Sequence, residues 1–444
     1  FSGSGPAPGF DLCGFKFEEG KEEFWHANVR GFDTVHSGQY TIFSTNKTLR
    51  MVATSGKPNA ETAVGKKSGW IDLERVRLEV YPREEWRQMY REALYLQKEH
   101  FWRADMSRIN WQHTYEKYLQ LLNRVKTRGE FSDLIWEMQG DLGTSHCYEM
   151  GGQYLRIPKF NIVGLLGAQF DFVKKSNSYK IRRIYRGDSW LSGQDSPLLA
   201  AKVGLKEGDE ILKLNGHAFQ HGNDIYTRMQ NMNGVEVQLT VRRQGAKTTE
   251  NVNVKALNEQ KSVQYRDWVE ANRAYVTKVS KGKLGYVHIP NMSIWGFSEF
   301  YRAFLTEIAK DGLVMDVRFN GGGNVSQHIL KILAQKPLGV DLTRYQGTDI
   351  YPSYAIRGPI VGITNELAGS DGDIFSHSFK MMKLGKLIGK RTWGGVIGIN
   401  SQYSLRDRTS VTQPEYSFWF NDVGWAVENY GTEPDIEVEI TPED

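Results

Sequence analysis

The sequence has few cysteines, little net charge and no long apolar run. Its 444 residues include two cysteines, Cys13 and Cys147, which provide no disulfide framework and fit a reducing, cytoplasmic compartment. Lys and Arg number 56 against 52 Asp and Glu, so the net charge of +4 favours no nucleic-acid partner. No apolar stretch is long enough to cross a bilayer, and no signal peptide is evident. Because the sequence starts at Phe1 rather than at methionine, we expect a fragment or a processed product.

The first part of the chain is predicted to be β-rich, and the second helical. Residues 1–9 resemble a linker or loop. Short strand-like pieces between turn signals then continue to about residue 80, which is typical of the last blade of a β-propeller. Residues 81–152 contain three apolar stripes at helical spacing, and they predict a small helical domain that ends near the run Gly140–His146.

Residues 153–258 return to β character and resemble a PDZ domain. The run Val203–Gly216, which contains GLKEGDEILKLNG, predicts a strand followed by an Asn-Gly hairpin turn. PDZ domains add a peptide strand to a sheet edge and hold its carboxylate in loop N–H groups. The loop Gly164–Gly167 is the candidate for that role. The alternative is a packing domain that binds nothing.

From residue 259 to residue 444, strand-like and helix-like patterns alternate. Apolar strands are predicted at residues 285–289, 313–319, 360–364 and 386–389, with helices between them. Such alternation predicts an α/β domain with a mostly parallel sheet.

One stretch within this domain suggests a catalytic nucleophile. The apolar strand 360–364 leads into the small-residue turn Ala368-Gly369-Ser370, and a helix-like pattern follows. This geometry would place the Ser370 hydroxyl near the outward-pointing N–H groups of a helix N-terminus, which favour developing negative charge. The alternative is that Ser370 only caps the helix, with Asp371 and Asp373 in its first turn.

Three further pieces of sequence can be combined with Ser370. His146 is a candidate general base in the helical part, the glycine run Asn320–Asn324 follows a strand, and Glu428 lies in the motif VENYGTEPD. Each feature is weak alone, because glycine runs are often tight turns and most histidines are structural.

Together with GTSH, NGGG, AGSDG and RTWGG, these motifs resemble the tricorn proteases over most of the chain. The resemblance implies a crotonase-like α/β catalytic domain, with a β-propeller-like remnant, a helical domain and a PDZ-like domain before it. It implies that Ser370 is the nucleophile and His146 the base, and that Ser145 and Glu428 orient and polarise the base. A serine hydroxyl needs such a base to accept its proton, and the imidazole needs an acceptor to fix its tautomer.

The resemblance also implies a binding site for peptides. The oxyanion hole would use the N–H of Asp371 and that of Gly323, and extended substrate would pair with Gly321, Gly322 and Gly323 and with Gly398, Ile399 and Asn400. Asp341, donated by a neighbouring subunit, would favour a basic residue before the cut; the alternative is a solvated surface aspartate in a loop with Arg344. The implied protein is a cytoplasmic homo-oligomer, a hexamer, that shortens oligopeptides left by larger proteases. It needs no metal or organic cofactor.

Several alternatives remain at this point. A Ser-Lys dyad requires lysine where this sequence has Gly395, and the nearby Lys390 is offset. Cys147 follows His146 directly, and adjacent residues usually point in different directions, so we expect it to be a packing residue. Two other functions are a catalytically inactive peptide-binding homologue and a crotonase-like acyl-CoA enzyme, and the PDZ-like block argues against the second.

Overall fold

The structure is a computed structural model that describes residues 9–153, 162–191, 194–222, 224–345, 347–400 and 403–441. The predicted linker lies outside these residues except for Gly9. The chain forms two compact units, Phe1–Trp86 and Arg87–Asp444. Within the described residues, no helix is both long and apolar enough to span a membrane.

The first unit is β-rich, as predicted. One antiparallel pair of strands and one three-stranded antiparallel sheet are packed around Leu12, Val29 and Phe43. The strands are β1 (Phe10–Lys16), β2 (Lys21–Val29), β3 (Gly31–Val35), β4 (Tyr40–Ser44) and β5 (Leu49–Ala53).

Three helices follow, which confirms the predicted helical part. They are α1 (Pro82–His100), α2 (Trp111–Leu122) and α3 (Arg128–Gly140). The start of α3 is fixed by a capping box, in which Thr127 and Glu130 satisfy each other's backbone N–H groups. After α3, a turn carries the chain through residues 144–146 into strand β6 (Glu149–Gly151).

The part that was predicted to resemble a PDZ domain forms a six-stranded antiparallel sheet with a short helix. Its strand order is β12-β11-β9-β8-β7, with β10 beside β9. The Asn215–Gly216 turn has positive φ at both residues, 49° and 79°, and this confirms the predicted hairpin. The elements are β7 (Ala168–Val173), β8 (Ser178–Ile184), β9 (Glu210–Leu214), β10 (His217–Ala218), α4 (Asp224–Arg228), β11 (Glu236–Arg242) and β12 (Glu250–Lys255).

The loop that precedes β7 is partly closed by its own domain. The N–H of Gly164 donates to the Met229 carbonyl at 2.7 Å, and the N–H of Leu165 donates to the Leu257 carbonyl at 3.1 Å. These two amides are therefore not available to a peptide carboxylate.

The remainder is an α/β arrangement around one parallel sheet, as predicted. Five strands lie in the order β13-β14-β17-β18-β22, and all neighbouring pairs are parallel. The elements are α5 (Lys261–Val279), β13 (Leu284–His288), α6 (Ile294–Glu307), β14 (Gly312–Asp316), α7 (Ser326–Leu333), β15 (Gly339–Thr343), β16 (Gly347–Tyr351), β17 (Ile360–Thr364), α8 (Asp371–Met381), β18 (Gly385–Gly389), β19 (Gly398–Ile399), β20 (Thr409–Val411), β21 (Pro414–Tyr416) and β22 (Ile436–Glu437). The sequence patterns indicated neither α5 nor the edge strand β22.

The helical part is joined to the α/β part through β20, which pairs with β6. Beside this pair, the buried guanidinium of Arg128 bonds to the carboxylates of Glu149 and Asp407, each at 2.8 Å. The buried amide of Gln97 on α1 donates to the carbonyl of Thr412 at 2.8 Å. These contacts hold the helical part and β6 against residues 407–412 of the α/β part.

Candidate active site

Ser370 lies at the N-terminus of α8, directly after the turn that ends β17. It has φ 58° and ψ −124°, a sparsely populated conformation for a residue with a side chain. Although Ser370 occupies the N-cap position, its side chain makes no capping hydrogen bond. The capping alternative is therefore wrong, because the hydroxyl points to another part of the chain.

That partner is His146, which the sequence places 224 positions away. Its Nε2 atom lies 3.2 Å from the Ser370 Oγ atom. His146 is buried and has a positive φ of 61°, and its carbonyl accepts a hydrogen bond of 2.6 Å from the hydroxyl of Thr412. The imidazole also packs against the rings of Tyr148 and Trp393, at centroid distances of 5.6 and 5.4 Å. These contacts hold the imidazole against the hydroxyl.

The other imidazole nitrogen is connected to a carboxylate through Ser145. The Ser145 Oγ atom lies 2.9 Å from Nδ1 of His146 and 3.1 Å from Oε2 of Glu428. A carboxylate can only accept, so the Ser145 hydroxyl donates its one proton to Glu428. It must then accept from Nδ1–H, which leaves Nε2 unprotonated and able to accept the Ser370 proton.

The Glu428 carboxylate is itself held by several donors. Besides Ser145 Oγ, they are the Thr144 hydroxyl at 3.0 Å and the backbone N–H groups of Ser145 at 2.7 Å, Val396 at 2.7 Å and Ile397 at 3.2 Å. Donors of this kind stabilise the charged form of a carboxylate and fix its orientation. Glu428 is thus a fixed acceptor for the Ser145 hydroxyl.

Burial and charge act on His146 in opposite directions. Burial lowers the pKa of His146 below its ordinary value, because it disfavours the imidazolium, while the charge of Glu428 partly offsets this effect. The imidazole is therefore neutral near pH 7, which is the state that a general base requires.

Gly322, the middle residue of the glycine run, lies next to Ser370. A β-carbon on Gly322 would lie 2.4 Å from the Ser370 β-carbon, so only glycine fits there. Gly323 forms a parallel bridge with Met292, whose N–H and carbonyl bond to Gly322 and Asn324, both at 2.7 Å. Because the Gly322 carbonyl points toward Met292, the N–H of Gly323, which lies on the opposite side of the same peptide group, points away from Met292.

Other predicted binding residues lie in two places. Gly398 and Ile399 form β19, which pairs with β21, and the Asn400 amide bonds to Glu415 at 2.8 Å. Asp341 lies in the fully exposed strand β15, opposite Asp349 of β16. Among the described residues, no hydrogen bond or ion pair connects Asp341 with the Ser370 site.

The competing dyads find no support in the geometry. A β-carbon on Gly395 would lie 2.3 Å from the Trp393 ring, so a lysine cannot replace Gly395 while that ring stays in place. Lys390 pairs with Glu437 at 2.7 Å and with Glu439 at 2.6 Å. Cys147 is buried, and burial raises the pKa of its thiol to about 12, which confirms a packing role.

Three family models match successive parts of the chain. The Tricorn protease C1 domain matches residues 82–140, the Tricorn protease PDZ domain matches residues 164–259, and Peptidase family S41 matches residues 283–438. Over 430 residues, or 97% of the chain, the sequence is 44% identical to a tricorn protease homolog of Saccharolobus solfataricus.

The chain belongs to the tricorn protease family.

Further relatives support this assignment. The tricorn protease of Thermoplasma acidophilum is 43% identical over 361 residues, which are 81% of this chain and 33% of that protein. The crystal structure of the tricorn protease superposes with a TM-score of 0.88 at 37% identity, over 98% of this chain and 41% of that one. The chain thus spans about half or less of the length of the curated tricorn relatives that it matches.

Some residues around Ser370 and His146 gave no usable signal in the sequence. Thr412 is an ordinary residue at a strand end, and Trp393 belongs to the RTWGG motif, but that motif does not indicate a contact with His146; only the fold brings the two residues to His146. The N–H groups of Val396 and Ile397 have no side-chain signature at all. The neighbouring glycines of the RTWGG motif are the one clue, because they mark a tight loop at this position.

Proposed function

We propose that this chain is a serine peptidase that hydrolyses oligopeptides to short peptides through an acyl-enzyme. The observation that carries this proposal is the unbroken series of contacts from Ser370 through His146 and Ser145 to Glu428. Membership of the tricorn family and the match to Peptidase family S41 support the same reaction.

In the proposed reaction, His146 Nε2 removes the proton of Ser370 while Oγ attacks the scissile carbonyl. The resulting imidazolium keeps its Nδ1–H bond to Ser145, and Glu428 stabilises its charge through that hydroxyl. The imidazolium then gives its proton to the leaving amine, and the acyl group remains on Ser370. Water, activated by the same imidazole, releases the second product.

Two backbone amides are suited to the oxyanion. Asp371 is the first residue of α8, where N–H groups lack partners within the helix, and the helix dipole favours negative charge. Gly323 presents its N–H on the side opposite Met292, next to the residue that touches Ser370. We assign the oxyanion hole to these two N–H groups.

The substrate would bind as an extended strand. Gly321, Gly322 and Gly323 offer backbone at the nucleophile, and Gly398, Ile399 and Asn400 offer the edge of β19 that faces away from β21. Exposed backbone groups at a strand edge can pair with a peptide in this way. Asp341 would supply a negative charge for a basic residue before the cut, from a second copy of the chain.

The wider architecture is also part of the proposal. We assign residues 1–80 to the end of a β-propeller, 81–152 to a helical domain that carries the base, 153–258 to a PDZ-like domain and 259–444 to a crotonase-like catalytic domain. The family matches and the parallel sheet support these boundaries. We further propose a cytoplasmic homo-hexamer that acts on peptides left by larger proteases.

Labelling with a fluorophosphonate tests the activity, because this probe modifies only an activated serine. Wild type should be labelled at Ser370 and should cleave quenched fluorescent peptides, and Ser370→Ala should do neither while it keeps its melting temperature. His146→Ala should resemble Ser370→Ala, since members of such a unit are not additive. Peptide binding without labelling would instead favour the inactive homologue.

A further inference from the structure

Ser370 is held in a strained conformation that its own side chain does not stabilise. Its φ of 58° and ψ of −124° are unfavourable for a residue with a side chain and persist only where the surroundings impose them. Two acidic residues follow it in the first turn of α8. Interaction with the helix dipole would require neither of them to be buried. Nevertheless, Asp371 has 6% and Asp373 0% of its surface exposed.

The Asp371 carboxylate bonds to the start of a different helix. Its Oδ2 atom accepts from the N–H of Ser326 at 2.9 Å, and its Oδ1 atom accepts from the Ser326 hydroxyl at 2.5 Å. Ser326 begins α7, directly after the glycine run. Asp371 therefore connects the nucleophile to the segment that carries the Gly323 amide.

The Asp373 carboxylate bonds to the opposite side of the site. Its two oxygens accept from the N–H groups of Gly394 at 2.8 Å and Gly395 at 3.1 Å, and the Thr392 hydroxyl and the N–H of Ser370 also stabilise its charge. The next residues of that loop, Val396 and Ile397, donate to Glu428. Asp373 therefore connects the nucleophile to the segment that holds the Glu428 carboxylate.

We infer that Asp371 and Asp373 are positioning residues, which hold Ser370 in register with the oxyanion amides on one side and with Glu428 on the other. This inference rests on the proposed peptidase function. Burial raises the pKa of both carboxyl groups because it disfavours their charged forms, and the hydrogen bonds that they accept offset only part of this desolvation cost. If the two carboxylates acted only on the dipole of α8, they could stay exposed and would not incur this desolvation cost.

Replacing the carboxylate by an amide should have different effects at Asp371 and at Asp373. The Ser326 hydroxyl can donate or accept, so Asp371→Asn can keep both contacts, whereas Asp371→Ala loses them. Each oxygen of Asp373 faces an N–H donor, Gly394 at Oδ1 and Gly395 at Oδ2, so Asp373→Asn places an amide nitrogen against one of them whichever way the amide is turned. We therefore expect Asp371→Asn to be mild and both Asp371→Ala and Asp373→Asn to be severe. Glu366→Gln is the matched control, since it removes an exposed carboxylate from the loop before Ser370.

The experiment measures the rate of fluorophosphonate labelling and the melting temperature of the full chain. In parallel, peptide affinity is measured by fluorescence anisotropy in the Ser370→Ala background. The severe variants should label at least about tenfold more slowly at a temperature where they are fully folded, with peptide affinity changed less than about twofold. Asp371→Asn should label faster than Asp371→Ala, and Glu366→Gln should label within about threefold of wild type.

Two results would overturn the inference. One is a lower melting temperature with an unchanged labelling rate of the folded protein, which would show that the carboxylates contribute to stability and not to the position of Ser370. The other is equal loss for Asp371→Asn and Asp371→Ala, because the hydrogen-bond pattern would then not decide the rate. Failure of wild type to be labelled would refute the proposed peptidase function, and that result is distinct from both.

Discussion

Gly322 touches the nucleophile: a β-carbon on this residue would lie 2.4 Å from the β-carbon of Ser370, where no real pair of carbons fits. Because the chain has φ 83° at Gly322, the close approach and the backbone conformation both require glycine. The neighbouring Gly321 has nothing within 4 Å of its hypothetical β-carbon. The two glycines therefore form a natural pair of test and control.

We predict that Gly322→Ala lowers kcat/KM by on the order of 10²-fold, because the clash displaces Ser370 from His146. Gly321→Ala should stay within about threefold of wild type. Steady-state kinetics with one quenched peptide measure both variants, and circular dichroism checks that both are folded. Equal effects of the two substitutions would show that the contact with Ser370 does not matter.

The pH profile should show a general base that works below the usual histidine range. Burial lowers the pKa of His146 from its ordinary 6.5, so the acid limb of kcat/KM against pH should lie below that value, with a plateau through pH 7. The charge of Glu428 raises this pKa, and Glu428→Gln should therefore move the limb to still lower pH while it lowers the plateau. A limb that moves upward in this variant would contradict the electrostatic assignment.

Ser145 should be needed for its hydroxyl alone. Ser145→Ala removes the acceptor of His146 Nδ1–H and the connection to Glu428, so kcat should fall on the order of 10²-fold. Ser145→Thr keeps the hydroxyl and should recover most of this loss. KM should change little in either variant, because Ser145 contacts the base rather than the substrate. No recovery with threonine, despite a folded protein, would argue against the relay.

Asp341 should act on specificity rather than on catalysis in general. If a second copy of the chain supplies this carboxylate, Asp341→Asn should lower kcat/KM selectively for peptides with arginine before the cut, by roughly tenfold for a 1.4 kcal/mol interaction. Asp349→Asn, on the facing strand, is the matched control. Peptides with leucine or glutamate at that position should be cut at unchanged rates. A uniform loss across all three peptides would rule out a role for Asp341 in specificity.

Much of the fold could be predicted from local pattern. Apolar runs between turn signals indicated four of the five parallel strands, and helical spacing indicated the three helices before β6. Helix α5 was missed because only three of its residues, Val263, Arg266 and Val269, are buried, so it lacks a strong apolar stripe. Strand β22 was missed because it is short and exposed.

Part of the candidate site could also be predicted from the sequence, and part could not. The side chains of the proposed catalytic set were found through motifs, and the structure places Ser370, His146, Ser145 and Glu428 in a continuous series of contacts. The supporting contacts were not predicted, because a backbone N–H such as that of Val396 has no sequence signature. Asp371 and Asp373 were noted only as helix-start residues, since burial cannot be read from two carboxylates in a first turn.

The base and the nucleophile belong to segments that are synthesised far apart. His146 leaves the ribosome 224 residues before Ser370, and Glu428 follows after another 58 residues. Until Glu428 is folded against Ser145, Val396 and Ile397, the series of contacts that starts at Ser370 is incomplete. We therefore expect the proposed active site to be complete only after the segment that carries Glu428 has been synthesised and folded.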